Sequence, residues 1–491
     1  MTKEPPIDEQ RHHTIRTVSL GTLWRLFRYP FITLSVAIIP RTMGDEVYGQ
    51  YAFFMSVFLI LDYLTDIGIT QVLGRFGPEF EAKEGRYSSS RLLHGFLFYG
   101  MLPGAVTAAG VLLVPLVHPF EGFPFSWFAI MSVLLLATKF EGIVYGFLYG
   151  LNQIARFSSR EVMRSAFTFV FVLLLYTQFG LLGAFWGLVV NEVLLSIVGT
   201  AWVRDYVFRA ERRIPFALLR PYLFFGLRLY IPLCLFGLLQ RSGNVCTQWL
   251  TGSPKQVAYF DIANQFLLLT ATFLGLILTT LVPSLSTLYA EGRQEQAHKY
   301  QRTATKYCGI AIFVACNALV WLGHDAVTLI MGAEFAPAYS SATVMVLAVF
   351  PGVITYVGMN YALLQKEPEM YTWSVVVGLA LMVLTSILLV PKYQALGAAW
   401  GSVCGYGAMG TVLALHYRKE FSHVLRDFVR VVLLGIPFAS LYLFFRPPFP
   451  LAVAAFVGST AVYLCVLFMA KLLSIEDARS VLDAFRRPSI R

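Results

Sequence analysis

Residues 182–187 read LGAFWG, and residues 396–401 read LGAAWG, 214 positions further on. At the same offset, without gaps, 157-FS-158 meets 371-YT-372, Val162 meets Val376, Ala166 meets Ala380, and 174-LL-175 meets 388-LL-389. Upstream, 46-EVYGQYAFF-54 matches 255-KQVAYFDIA-263 at an offset of 209. Chance can align small residues in a chain rich in them. The ungapped length and the shared Leu-Gly-Ala-x-Trp-Gly point instead to duplication of one structural unit.

Apolarity says what that unit is made of. The chain of 491 residues is 57% hydrophobic and 13% charged, with mean hydropathy +0.65. Runs of about 20 apolar residues, the length a helix needs to cross a bilayer, recur from end to end. Fourteen spans are predicted, at 17–40, 48–75, 92–117, 125–150, 159–179, 181–203, 224–250, 256–287, 305–332, 338–364, 370–391, 395–416, 428–446 and 450–472. No gap between them exceeds about 20 residues, which excludes an inserted soluble domain. Spans 1–6 correspond to spans 7–12. Six spans return the chain to the side it started from, so the repeats have parallel topology.

The predicted fold class is therefore an all-α integral membrane protein of about 14 transmembrane helices. It comprises two parallel-topology six-helix lobes and two extra C-terminal helices. The expected divisions are an N-terminal segment 1–16, an N-lobe 17–205, a linker 206–223, a C-lobe 224–417, helices 13–14 over 428–472 and a basic tail 473–491.

Lys and Arg set the orientation. With the N-terminus inside, the outer loops hold only Arg41, Lys255, Lys392 and Arg446. The inner loops collect 83-KEGRYSSSR-91, 204-RDYVFRAERR-213, 293-RQEQAHKYQRTATK-306 and 418-RKEFSHVLRDFVR-430. This bias predicts a cytoplasmic-membrane protein with both termini cytosolic. The net charge of +10 then reflects loop bias, not a nucleic-acid partner. The first 16 residues lack the apolar core of a signal peptide. Residues 474–487 suit either a short amphipathic helix on the inner surface or a solvated tail. The six cysteines fall within or at the edges of apolar spans and lack metal-ligand spacing.

Several chemistries are excluded. There is no Gly-Lys-Ser/Thr phosphate loop for ATP, no His-Glu-x-x-His, no paired Cys-x-x-Cys and no Gly-x-Ser-x-Gly. No catalytic residue, metal or cofactor is predicted. What remains is a set of charges inside the spans, each costly unless paired or facing water.

Two lie in 23-LWRLFRYPF-31. At 1.5 Å per residue, Arg25 sits about 10 Å into the first span and Arg28 about 15 Å, near the midplane. Asp62 and Asp66, four apart, share a face of the returning span. Asp62 falls at the depth of Arg28 and Asp66 at that of Arg25, so the two levels are expected to pair. Arg28 is expected to face a cavity, because snorkelling from the midplane is hard. Arg25 either pairs, gates the inner mouth or snorkels. Lys139 and Glu141, two apart in span 4, point in different directions. Glu192, beside Asn191, suits a cation or proton site or a helix contact. Arg241 and Asn244 share a face of span 7. Asp261, Asn264 and Gln265 are expected near the membrane interface. Pro30, Pro232 and Pro283 are candidate kinks.

The stretch 44-GDEVYGQYAFFMSVFLILDYLTDIGITQVLGR-75 resembles the start of the Wzx-type polysaccharide flippases, a branch of the multidrug/oligosaccharidyl-lipid/polysaccharide exporter superfamily. In that family Gly-x-Tyr opens the second helix, here Gly49 and Tyr51, and Asp-x-Gly then Arg closes it, here Asp66, Gly68 and Arg75. Residues 229–266 resemble the second-lobe counterpart, with departures: Ala258 and Phe260 stand where Gly and Tyr are usual, and Asn244 where Asp is common. The resemblance covers about residues 15–420.

It implies V-shaped lobes around a cavity that opens to either side in turn. It also implies a lipid-linked oligosaccharide, carried on polyprenyl pyrophosphate, as cargo. Arg28, Arg25, Lys139 and Arg241 become candidate cavity residues for that anion. Asp62, Asp66 and Glu192 become candidate ion-pairing or coupling residues, with Na+ or H+ as coupling ion. Membrane lipids and other glycan-assembly membrane proteins are the expected partners. Two alternatives stay open: a cation-coupled exporter of drugs or metabolites on the same fold, and a membrane glycosyltransferase, polymerase or ligase. Short outer loops count against the second.

Overall fold

The computed structural model describes residues 7–84, 89–117, 123–208, 215–444 and 447–473; side chains are described there except at 7–26, 80–84, 218, 273, 274, 276, 279, 280, 283 and 442–444. The tail segment 474–487 and part of the 206–223 linker lie outside the described residues.

The described residues are helical almost throughout, with no strand. The helices are α1 (Ile7–Thr65), α2 (Ile69–Glu84), α3 (Ser90–Gly95), α4 (Leu102–Val117), α5 (Phe125–Gly150), α6 (Ile154–Trp202), α7 (Arg204–Val207), α8 (Phe216–Thr251), α9 (Pro254–Thr280), α10 (Val282–Ala290), α11 (Gln294–Ile330), α12 (Ala338–Leu364), α13 (Pro368–Tyr393), α14 (Ala395–His416), α15 (Arg418–Phe444) and α16 (Phe449–Met469). A π-helical turn, Phe96–Gly100, joins α3 to α4. Ten stretches among the described residues are long and apolar enough to cross a membrane. Two of them are doubled: α1 and α6 each hold two passes, divided at Gly44 (φ 76°, ψ 166°) and Gly180 (φ 62°, ψ −148°). Adding α9 and α15, each 27 residues long, gives fourteen passes. The chain is a multi-pass helical membrane protein.

The duplication is visible in the backbone. α5 and α12 end 214 residues apart, at Gly150 and Leu364. The two passes of α6, Ile154–Trp202, become α13 and α14, which begin and end at the same offset. The reversal at Gly180 recurs at Gln394 (φ 53°, ψ −130°). Asn152 (φ 58°) and Lys366 (φ 60°), both left-handed non-glycine residues, are likewise 214 apart. Glycine accommodates such a reversal without strain, and glutamine does not. Its survival at 394 shows that the surrounding unit dictates the turn.

Two spans expected to be continuous are broken. α1 ends at Thr65 and α2 starts at Ile69, inside the predicted span 48–75. α9 ends at Thr280 and α10 starts at Val282, inside 256–287. The breaks occupy matching places in the two repeats. At the first, Asp66 Oδ1 accepts the Gly68 N–H at 2.8 Å, and Gly68 takes φ 73°. That is a carboxylate cap at the start of α2. A Cβ on Gly68 would meet the Gly226 backbone, so this position also needs glycine for close approach. At the second break, Pro283 stands in the first turn of α10. It starts a helix there; it does not kink one.

The chain divides into two compact units, Met1–Met43 with Phe54–Gly237, and Gly44–Phe53 with Leu238–Arg491. In the first unit α5 packs on α2, α4 and α6. Its aromatic centre includes Phe54 stacked on Phe185 at 3.8 Å, with Trp127 edge-on to both. In the second unit α12 and α14 pack on α9, α13 packs on α14, and α11 carries α15 and α16.

Candidate functional site: a buried charge network in the first unit

The sequence 160-REVMR-164 lies about two turns into α6. Arg160 and Arg164, four apart, share one face, and Glu161 is turned about 100° from Arg160. α5 brings Lys139 and Glu141, the second pass of α6 brings Glu192, and α1 brings Arg28 and Asp62. All eight belong to the first unit.

They form linked ion pairs. Glu141, fully buried, accepts from Arg160 Nε at 2.5 Å and Nη2 at 2.6 Å, a bidentate pair. Arg164 Nη2 bridges Glu141 at 3.0 Å and Glu192 at 2.9 Å. Arg28 Nη1 donates to Glu161 Oε2 at 3.0 Å. Arg160 Nη1, 3.9 Å from the other Glu161 oxygen, ties this pair to the rest. Lys139 Nζ contacts Asp62 Oδ1 at 2.8 Å and donates to the Asp62 carbonyl at 2.6 Å, within the last turn of α1. Four cations thus face four carboxylates. Pairing of this kind is what permits charge in an apolar span.

Burial is graded across the network. The Glu141, Lys139 and Glu192 side chains are 0%, 6% and 9% exposed, against 23% for Arg28, 30% for Arg164 and 32% for Glu161. The buried half fixes the geometry. The open edge offers two guanidiniums whose carboxylate partners an incoming anion can replace, since phosphate oxygens match the same planar fork.

The predicted pairing of Arg28 with Asp62 is corrected. Depth counting placed them level, but Glu161 from α6 reaches Arg28, and Lys139 from α5 reaches Asp62. Depth fixes height along a helix and leaves open which helix stands beside it. The Arg25 side chain lies outside the described residues, so the Arg25–Asp66 level is not described, and Asp66 serves the α2 cap. Lys139 and Glu141 do diverge, one to Asp62 and one to the two arginines. Glu192 takes Arg164, and Asn191 beside it donates to Thr168 Oγ1 at 3.0 Å. Arg160, Glu161 and Arg164 were not singled out from the sequence, because their run stands at the mouth of a span where charges are ordinary. Their signal was the i, i+4 arginines around an acid.

The second unit differs. Asp261 and Asn264, expected at the interface, are each 3% exposed. Asp261 accepts from Tyr48 OH at 2.7 Å, Asn244 Nδ2 at 2.7 Å and Gln265 Nε2 at 3.3 Å. Arg241 is half-buried. Gly49 of the Gly-x-Tyr motif has a packing reason: a Cβ there would strike the Pro254 carbonyl. The 214 offset sets Val353 against Lys139, Thr355 against Glu141, Ser374 against Arg160, Val375 against Glu161, Gly378 against Arg164 and Tyr406 against Glu192. Duplication kept the frame, but these six positions of the second copy carry no charge.

The duplicated all-helical membrane bundle is a fold that solved structures share. A lipid II flippase, MurJ, in an inward closed conformation matches with TM-score 0.69 and 14% identity, over 94% of this chain and 100% of that one. An inward-facing multidrug resistance MATE family transporter of the MOP superfamily matches with TM-score 0.65 and 14% identity, over 84% and 98%. An uncharacterised membrane protein of Methanocaldococcus jannaschii is 22% identical over 455 residues, covering 85% of this chain and 87% of that protein. The model of the polysaccharide biosynthesis protein family matches residues 16–289. The chain belongs to that family.

Proposed function

We propose that the protein moves a lipid-linked oligosaccharide, carried on polyprenyl pyrophosphate, across the cytoplasmic membrane by alternating access. The product would serve polysaccharide export and cell-surface glycan biosynthesis. The observation that carries this reading is the open edge of the charge network, where Arg28 and Arg164 are partly exposed on a rigidly paired base. Two arginines suit a pyrophosphate. The family match and the likeness to a lipid II flippase support the same cargo class. The Lys/Arg bias supports cytosolic termini, which makes the face carrying loop 150–154 cytosolic. Membrane lipids and other glycan-assembly membrane proteins are the partners, and Na+ or H+ is the coupling ion.

A cation-coupled drug or metabolite exporter is the second reading, favoured by the likeness to a MATE family transporter. Partly exposed guanidiniums repel cationic cargo, which sets it second. Loss of the gene separates the two. The expected result is lipid-linked oligosaccharide accumulating on the cytosolic leaflet. Unchanged glycan with altered drug resistance would sink the flippase reading.

A further inference from the structure

α15 begins 418-RKEFSHVLRDFVR-430 and then runs on almost wholly apolar to Phe444. It stands outside the duplicated unit, so the repeat gives no reason for its charges. Arg302 Nε of α11 donates to Asp427 Oδ2 at 2.7 Å, and Phe428 packs against Gly309 of α11. These two contacts fix how the helices lie together. Within four residues of the Arg302–Asp427 pair, on either helix, stand five cations, Lys299, Arg302, Lys306, Arg426 and Arg430, and one acid, Asp427. One carboxylate, already taken by Arg302, cannot neutralise five cations. Arg426 and Arg430 are exposed, and neither has a hydrogen bond or ion pair among the described residues.

The two arginines open a stripe. Arg426, Arg430, Leu433 and Pro437 recur every three or four residues on the exposed side of α15, with Val429 and Ile436 beside them. Val429, Leu433 and Ile436 are 44%, 59% and 52% exposed. The stripe is therefore cationic for one turn and apolar beyond it, and Ile436 lies about 9 Å along the axis from Arg430. α16 ends at the same level: Leu472 shares an apolar cluster with Val431, which brings the exposed Lys471 near Arg430. Charge at one end and hydrocarbon below it is the profile of a phospholipid standing along a helix. Phosphate oxygens match the guanidinium fork. A zwitterionic headgroup brings an ammonium that the surplus cations repel, and a free phosphate ion makes no use of the apolar stripe.

We propose that the α11–α15 edge holds an anionic phospholipid of the surrounding bilayer, with its phosphate on Arg426 and Arg430 and an acyl chain along Leu433 and Ile436. Arg302, 42% exposed beside them, and Lys471 add to the field that retains the headgroup. The lipid is a bound neighbour of the second unit and not its cargo. The site shares no residue with the charge network of the first unit, and it stands whatever the cargo is.

The test uses full-length protein in lipid nanodiscs doped with a phosphatidylglycerol that carries a diazirine in one acyl chain. After illumination, adducts are located by peptide mass spectrometry. Expected are adducts over residues 429–437 that unlabelled phosphatidylglycerol competes away and phosphatidylcholine does not. Arg426→Gln and Arg430→Gln should each lower that labelling about fivefold. The double variant Arg204→Gln/Arg293→Gln removes two exposed charges elsewhere and should leave it unchanged. Equal competition by phosphatidylcholine, or parental labelling in both α15 variants, overturns the site. Displacement by a polyprenyl phosphate at a lower concentration than phosphatidylglycerol also overturns it, and gives the edge to the cargo instead.

Discussion

Arg28 donates to Glu161 across 133 residues of sequence, at 3.0 Å, with both side chains partly open. Such a pair holds a guanidinium ready without burying it. Without Arg28, Glu161 still has the Arg160 guanidinium at 3.9 Å, so no bare charge is left. Arg28→Ala should therefore leave the protein folded and membrane-inserted. Export should fall about 10- to 100-fold, because a charged hydrogen bond to phosphate contributes about 1.5–3 kcal/mol. Export of the glycan by the variant, at matched protein level, checks this. Normal export would remove Arg28 from the substrate site.

Glu141 is the opposite case. It is fully buried and holds two arginines. Removing one partner of a buried pair costs about 3–5 kcal/mol, since the remaining charge has no water. Glu141→Ala should lower the unfolding midpoint of purified protein sharply and reduce its level in the membrane. A thermal scan matching the parent would show that the arginines find another partner.

Gln394 offers a gain. It holds the reversal that Gly180 holds in the first repeat. Strain at such a non-glycine position is about 1–3 kcal/mol. Gln394→Gly should raise thermal stability, and Gly180→Ala should lower it. Opposite shifts in the two repeats, measured in one detergent, are the expected result.

Gly49 sits where any side chain meets the Pro254 carbonyl. Gly49→Ala forces two backbones apart in a close-packed interior, at a cost of about 1–3 kcal/mol. The unfolding midpoint should fall, while Gly252→Ala, with open space around it, should cost only its left-handed φ of 65°.

The sequence by itself determined the helical spans, their number and their duplication. These are local properties: apolar length and an ungapped offset survive without knowledge of neighbours. The 214 offset even marks where the backbone reverses, at Gly180 and Gln394. Breaks at 66–68 and at 281 escaped it, because apolar residues continue through both; a carboxylate cap and a close glycine contact end the first helix, and Pro283 begins the helix after the second. Only the tertiary structure decided the partners of the buried charges. Arg28 and Asp62 are level in depth, yet α6 gives Arg28 to Glu161 and α5 gives Asp62 to Lys139. Depth is read along one helix, whereas an ion pair depends on which helix stands beside it and how it is turned.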